Sequence, residues 1–433
     1  MRVAIDGFNL SMVDGTGVAN YGASMAAVLH QAGHEVEGVF GLDAGKRPET
    51  REILFFDRFG HGHRLKPGTM ARRVGLTALR PFSTSQLMQV PLTDTVDKRS
   101  FGFRLPDFSA LWTSPLLFEV AWARFAYFGL TTTISVPNPP KVMHWTYPLP
   151  IRMAGARNIY TIHDLVPLKL PQATLDNKLF YHKLIAKCLA LGDHIITVSE
   201  ASRRDIREIF PDTDKSKITN TYQSSPIPSD IINALPSADA SFILHTFGLK
   251  EKGFYLFFGA VDPKKNIGRI VDGYLASESK LPLVIVSSRD WGMSNETRML
   301  NADGRVYGRN LGKRIVQLQY LPRLTLFRLI RSAKAVLFPS LYEGFGLPVL
   351  ESMQLGTPTI TSTTSSLPEV AGSAALLVDP YQTSAIAAAI RRLEDEPGLG
   401  EKLSKAGLAQ AQNFSDARFS ERIEDVYRKL GLA

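Results

Sequence analysis

The feature that most constrains this chain is a rhythm of short, almost purely apolar runs separated by helix-like segments. In the N-terminal half, "RVAIDGFNL", "HEVEGVFG", "KVMHWTYP", "NIYTIHDL" and "HIITVSE" read as strands, with "KITNTYQ" as the last of that part. Between them, "GVANYGASMAAVLHQAG", ending at the cap residue Gly33, "KLFYHKLIAKCLALGD" and "EASRRDIREIF" read as helices. The pattern then restarts. "FYLFFGAV", "LPLVIVSS", "VQLQYL", "AVLFPS", "TPTITS" and "AALLVD" are strand candidates, and "NIGRIVDGYLAS" and "TLFRLIRSA" are helix candidates. Near-continuous Val, Ile and Leu runs between helices imply parallel strands buried on both faces. Two such sets, in a chain of 433 residues that is too long for one core, predict two doubly wound α/β domains. Ser224–Lys252, rich in proline and serine and weak in periodicity, is the expected linker. The predicted domains are 1–235 and 250–415. Residues 44–110, rich in Gly, Pro and Arg, give no clear assignment.

Other classes are excluded or demoted. One cysteine, Cys188, cannot form an internal disulfide and fits a reducing compartment. The first residues lack a signal-peptide pattern. No apolar run reaches the roughly 18 residues of a membrane span. The nearest, Leu111–Thr132, is broken by Glu119 and Arg124. It reads as a core helix or as a helix lying on a membrane surface. The net charge is +9, with Arg64, Lys66, Arg72, Arg73 and Arg80 close together. A basic surface favours an anionic partner, but no nucleic-acid module accompanies it, so nucleic acid is not expected.

Ligands of doubly wound sheets bind beyond the carboxyl ends of the strands. The segment "PSLYEGFGLPVLESMQLGTP" has that position. Pro348 suits a first helical turn, and Gly356 with Pro358 closes the helix. Gly344 and Gly346 let backbone approach a ligand, and the free N–H groups of the turn can cradle a phosphate. Glu343 and Glu351 flank that turn and can each accept hydrogen bonds from hydroxyls. A sugar–diphosphate–ribose ligand has this layout. Lys264 and Lys265 follow a Gly-ended strand and precede Asn266, a candidate N-cap. Two decoys fail. "DGTGVANYG" places Asn20 where a dinucleotide fingerprint needs its third glycine. Asp212 and Asp214 of "PDTDK" follow a helix and Pro211, where a solvated turn is expected rather than a metal site.

The Glu-x7-Glu pattern of "EGFGLPVLE" after an apolar strand resembles family 4 of the nucleotide-sugar glycosyltransferases, retaining enzymes with two facing Rossmann-like domains across a cleft, the GT-B fold. "FFGAVDPKKNI", "TIHDLVPL", "TVSEASRRDI" and "FSERIEDVYRKLG" extend the likeness. The resemblance implies that the final helix, 416–433, crosses back to the first domain. It also implies roles. Glu343 would face the donor sugar, with His163 reaching the sugar or reacting centre and Lys265 and Lys264 neutralising the diphosphate. The backbone of Phe345, Gly346 and Leu347 would meet sugar hydroxyls and phosphate. Glu351 would hold the ribose, Gly15 and Gly17 would form the loop near the diphosphate, and Tyr320 and Leu321 would contact the base. His144 and Ser199 are weaker acceptor-side candidates, each with an ordinary reading as a packing residue or a helix cap. No metal and no cofactor beyond the nucleotide-sugar are expected.

"GAVDPKKN" and "IHDLVPL" look most like bacterial mannosyltransferases of surface-polysaccharide synthesis. The implied donor is GDP-mannose, with a UDP-sugar or another GDP-sugar as alternatives. The implied acceptor is a glycan or a polyprenyl-diphosphate-linked oligosaccharide, met in the cytoplasm by a protein touching the anionic inner face of the membrane. A sugar-nucleotide epimerase and a non-catalytic sugar-nucleotide scaffold remain the competing readings. Three departures stand out: the basic insertion after Asp43, Gln319 in place of a glycine, and, in "FSDARFS", the absence of the aromatic that relatives often carry near the start of the last helix.

Overall fold

The computed structural model describes residues 1–12, 17–61, 74–75, 85–93, 95–287, 305–306, 309–310, 314–318 and 321–432. The expected Gly15, Tyr320 and the basic cluster of Arg64, Lys66, Arg72, Arg73 and Arg80 lie outside them.

The first sheet is built from β1 (Arg2–Asp6), β2 (Glu35–Phe40), β3 (Met88–Val90), β4 (Ala110–Thr113), β5 (Val142–Trp145), β6 (Arg157–Ile162), β7 (His194–Thr197) and β8 (Ile218–Asn220). Their spatial order is β8-β7-β6-β5-β1-β2-β4-β3, parallel except for the edge pair β3–β4. The second sheet contains β9 (Tyr255–Phe258), β10 (Leu283–Val286), β11 (Ile315–Leu318), β12 (Ala335–Phe338), β13 (Thr359–Ser362) and β14 (Leu376–Val378). Its order is β11-β10-β9-β12-β13-β14, all parallel. All four residues of β9, β10, β12 and β13 are buried, as strands covered on both faces require. The strand order reverses between β1 and β5 in one sheet and between β9 and β12 in the other. Crevices open at such points beyond the strands' carboxyl ends.

Among the described residues, the α-helices of five or more residues are α1 (Gly17–Gln31), α2 (Pro48–His61), α3 (Leu117–Phe128), α4 (Lys178–Leu191), α5 (Glu200–Ile209), α6 (Pro236–Phe247), α7 (Ile267–Ala276), α8 (Arg323–Ser332), α9 (Leu347–Gln354), α10 (Leu367–Ala371), α11 (Thr383–Asp395), α12 (Leu399–Ala411) and α13 (Asp416–Lys429). The segment expected as a plain linker is largely helical. It contains a short helix at Ser229–Ile232 and then α6, which packs on α8 through the buried Asp239 carboxylate and Arg331, 3.0 Å apart. Its prolines and serines begin helices rather than interrupt them: Pro236 stands in the first turn of α6. The apolar stretch 111–132 divides into β4 and α3. Phe118 and Phe125 of α3 enter the core, and Trp122 stacks on Phe180 of α4 at 5.0 Å. Its C-terminal end is apolar and outward: Tyr127 is 80% exposed, with Phe128 and Leu130 beside it. No helix among the described residues is long and apolar enough to cross a membrane.

Helix α13 packs on α1 of the first domain. Its buried Phe419, Ile423, Val426 and Tyr427 recur at helical spacing. The Tyr427 hydroxyl meets His144 Nε2 at 2.7 Å, and Glu424 reaches His34 Nε2 at 2.6 Å.

Candidate active site

The site lies where the carboxyl ends of the two sheets face each other. On the C-terminal side, β12 ends at Phe338 and the chain turns through Glu343–Gly346 into α9. Gly346 sits at the helix start with φ of +108°, a region that L side chains avoid. A short turn, Pro263–Lys265, follows β9 and aims its lysines at the same place. Lys265 Nζ lies 2.6 Å from Glu343 Oε1 and 4.8 Å from the centre of the Phe338 ring. Lys264 Nζ is 4.0 Å from Asp164 across the cleft. Burial favours the neutral form of Lys264, but the carboxylates of Asp164, Glu343 and Asp262 outweigh it and push its pKa up to about 12. Lys264 is thus poised as a cation, with Lys265 next to it, beside the amino end of a helix, where anions are stabilised.

Glu351, one turn into α9, is buried. Its carboxylate accepts from the Ser225 hydroxyl at 2.9 Å, and Arg323 approaches to 3.8 Å. Burial raises its pKa, opposed by Arg323 and Ser225. Leu321, the described member of the expected base-contacting pair, lies two residues before Arg323.

From the N-terminal side, His163 follows β6. Its Nε2 is 2.8 Å from the Thr146 carbonyl, which fixes that nitrogen as the N–H donor. Burial lowers its pKa, so the ring is neutral near pH 7 and Nδ1 carries a lone pair. Tyr21 packs edge-on against the ring at 4.8 Å. The His163 backbone carbonyl stands so close to Gly344 that a Cβ added there would lie 2.6 Å from its oxygen. Gly17, at the amino end of α1, faces Leu347 at the amino end of α9: a Cβ on Gly17 would sit 3.7 Å from the Leu347 Cδ1 methyl. The two halves therefore bring Glu343, Lys264, Lys265, the 345–347 turn, His163 and Gly17 close together.

Two candidates are placed elsewhere. His144 is wholly buried on β5 against Tyr427, and burial, with help from His194 and His34, pushes its pKa down to about 3. Ser199 is also wholly buried and caps α5 by accepting from Ser202 N at 3.0 Å. Neither can meet an acceptor; each takes its ordinary reading. Asn266 occupies the N-cap position of α7, but its side chain does not cap. It donates to the carbonyls of Pro339 and Pro380 at 3.0 and 2.7 Å, fastening the lysine turn to the two neighbouring loops. Asp214 accepts from Ser216 N at 2.9 Å in a local turn, and no cluster of metal-ligating residues occurs among the described residues.

The sequence reading missed the groups that hold this arrangement together. Ser365 Oγ accepts from Glu343 N at 2.9 Å. Ser366 Oγ lies 2.9 and 2.8 Å from the carbonyls of Glu343 and Phe345. Glu369, on α10, crosses to the other domain and accepts from the N–H groups of Glu200 and Ala201, both at 2.9 Å. A serine pair and a Pro-Glu dipeptide are common helix-start chemistry and give no hint of a long-range partner.

Residues 245–410 match the family model described as glycosyl transferases group 1. The O-antigen chain mannosyltransferase B of Escherichia coli is 31% identical over 288 residues, covering 65% of this chain and 72% of that protein. The O-antigen chain mannosyltransferase RfbU of Salmonella typhimurium is 28% identical over 284 residues, 64% of this chain and 72% of the relative. The structure of a sucrose-phosphate synthase from Thermosynechococcus elongatus superposes with a TM-score of 0.67 over 99% of both chains at 18% identity, a likeness of fold. Taken with the two facing α/β domains of the GT-B architecture, these similarities make the chain a member of the group 1 glycosyl transferases.

Proposed function

We propose that the protein transfers mannose from GDP-mannose, with retention of configuration, to a glycan or polyprenyl-diphosphate-linked acceptor in surface-polysaccharide synthesis. The observation that carries this reading is the Lys265–Glu343 pair at the Gly346 helix start, with Glu351 held one turn away. A departing diphosphate needs positive charge and aimed donors. Lys265, Lys264 and the amino end of α9 supply both. Glu343 would meet sugar hydroxyls, and Glu351 with Ser225 would accept and donate at the ribose. His163, neutral with a free lone pair, would face the sugar from the other domain. A diphosphate so neutralised needs no divalent ion, so turnover should survive EDTA. Mannose and an O-antigen-type acceptor are drawn from the two named relatives.

The exposed Tyr127, Phe128 and Leu130 at the end of α3 would give the protein an apolar contact with the inner face of an anionic membrane. Sedimentation with anionic liposomes, lost when Tyr127 and Phe128 become serine, is the expected result.

The test of the donor is thermal unfolding with GDP, UDP and ADP on wild type and Glu351→Ala. A nucleotide at about 100 times its Kd adds about 2.7 kcal/mol. Protection by GDP alone, weakened in the variant and followed by release of GDP from GDP-mannose, supports the reading. Protection by UDP alone discards mannose, and protection by none discards the donor site.

A further inference from the structure

We infer that Glu369 is a positioning residue that sets the spacing between the two halves of the active site. The inference rests on the transferase reading of that site. Glu369 belongs to α10, whose preceding serines hold the Glu343–Phe345 loop from behind. Its two carboxylate oxygens leave that domain and take the N–H groups of Glu200 and Ala201, the first donors of α5. The Tyr222 hydroxyl adds a third bond at 3.2 Å. A carboxylate on a helix amino end is a charge-assisted contact. Here the carboxylate comes from another domain, about 170 residues away in sequence.

Helix α5 carries the signal onward. One turn in, Ser202 Oγ donates to the His163 carbonyl at 2.6 Å and lies 3.4 Å from the Gly344 carbonyl. Ser202 is wholly buried, so the serine has no solvent to turn to. The path is a closed ring: Glu343 loop, Ser366, Glu369, the amino end of α5, Ser202, His163, and back to Gly344 by direct backbone approach. Tyr342 braces the same ring from the loop side through a hydrogen bond to Asp205 of α5. His163 and Glu343, from opposite domains, are therefore held at one separation by a carboxylate that touches neither.

The prediction separates positioning from binding. Lys264, Lys265, the turn at 345–347 and Glu351 lie on the C-terminal domain. Glu369→Ala should leave the Kd for GDP within about twofold while kcat for GDP release from GDP-mannose falls about 100-fold, the scale of a 1 Å misplacement at a reacting centre. Glu369→Gln, which keeps one acceptor oxygen, should recover part of that loss. Ser202→Ala, which cuts the ring at another point, should lower kcat in the same way. Spin labels on Lys183→Cys and Lys402→Cys, one per domain and both exposed, should give a broader distance distribution in Glu369→Ala than in the otherwise wild-type protein. Unchanged kcat, an unchanged distance distribution, or a Kd that rises in step with the loss of kcat would each overturn the inference. If the wild-type protein releases no GDP from GDP-mannose, the donor reading fails instead, and the distance measurement still decides the role of Glu369.

Discussion

Gly344→Ala isolates the close approach of the two domains. At this position the backbone φ is not in the left-handed region, so alanine brings no torsional penalty. The cost is steric. The new Cβ would lie 2.6 Å from the His163 carbonyl oxygen and 3.1 Å from Asp164 Cβ. Ordinary contact begins at 3.4 Å, so the oxygen is about 0.8 Å too near. A side chain could rotate away; a carbonyl held by Ser202 at 2.6 Å cannot. One domain must retreat. Overpacking of this size costs about 1–3 kcal/mol, a few degrees in melting temperature for a domain of this length. A retreat near 1 Å at the reacting centre costs about 100-fold in rate. Activity should thus fall far more than stability. The assay is GDP release from GDP-mannose at saturating donor, beside a melting curve and a GDP titration. We expect kcat down about 100-fold, melting lowered by a few degrees, and GDP affinity nearly kept. Wild-type kcat in Gly344→Ala would refute the claim that the His163–Gly344 approach sets the catalytic geometry.

Lys265→Ala removes the cation nearest the Glu343 carboxylate and should cost about 10²–10³ in kcat, the usual toll of deleting one group aimed at developing charge; a loss under tenfold would move that role to Lys264. Arg323→Ala removes the partly exposed cation 3.8 Å from Glu351; Ser225 still donates to the carboxylate, so the loss should be about 1 kcal/mol, read as a slightly lower denaturant midpoint, and protection by GDP should weaken. Asp6 offers a pH test. Burial raises its pKa from 3.8 to about 6, against bonds from the N–H groups of Thr146 and Phe8. The folded state then binds more protons than the unfolded state between those values, so this residue's contribution to stability falls by about 3 kcal/mol as pH rises through that window and stays lost at pH 7. Asp6→Asn should flatten the slope of stability between pH 4 and 6.5; an unaltered slope would show that another group sets it.

The sequence discloses this molecule unevenly, and physics explains which parts. Parallel strands buried on both faces leave continuous apolar runs, so β9, β10, β12 and β13 are legible at a glance. The turn at Gly346 is legible because glycine and proline mark backbone conformations few other residues share. By contrast, α6 was hidden: its prolines and serines resemble a linker until the packing of Asp239 against Arg331 is seen. His144 was misleading because a histidine at a strand end looks identical whether it faces a cleft or a tyrosine from the last helix. Ser202 and Glu369 were invisible for a deeper reason. Their partners are 39 and about 170 residues distant, and no local pattern encodes such a contact.

The return of α13 to the first domain has a consequence for biogenesis. The core around α1 and β5 is finished by Phe419 and Tyr427, although β8, the last strand of that sheet, ends at Asn220. At about 5–20 residues per second, roughly ten to forty seconds of synthesis separate the two. During that interval the nascent first domain carries an open apolar seam. The second domain, whose strands are continuous in sequence, can close before the first does, so the half made earlier is completed later. Chaperone occupancy on ribosome-bound chains stalled between 300 and 410 should be concentrated on residues 1–220.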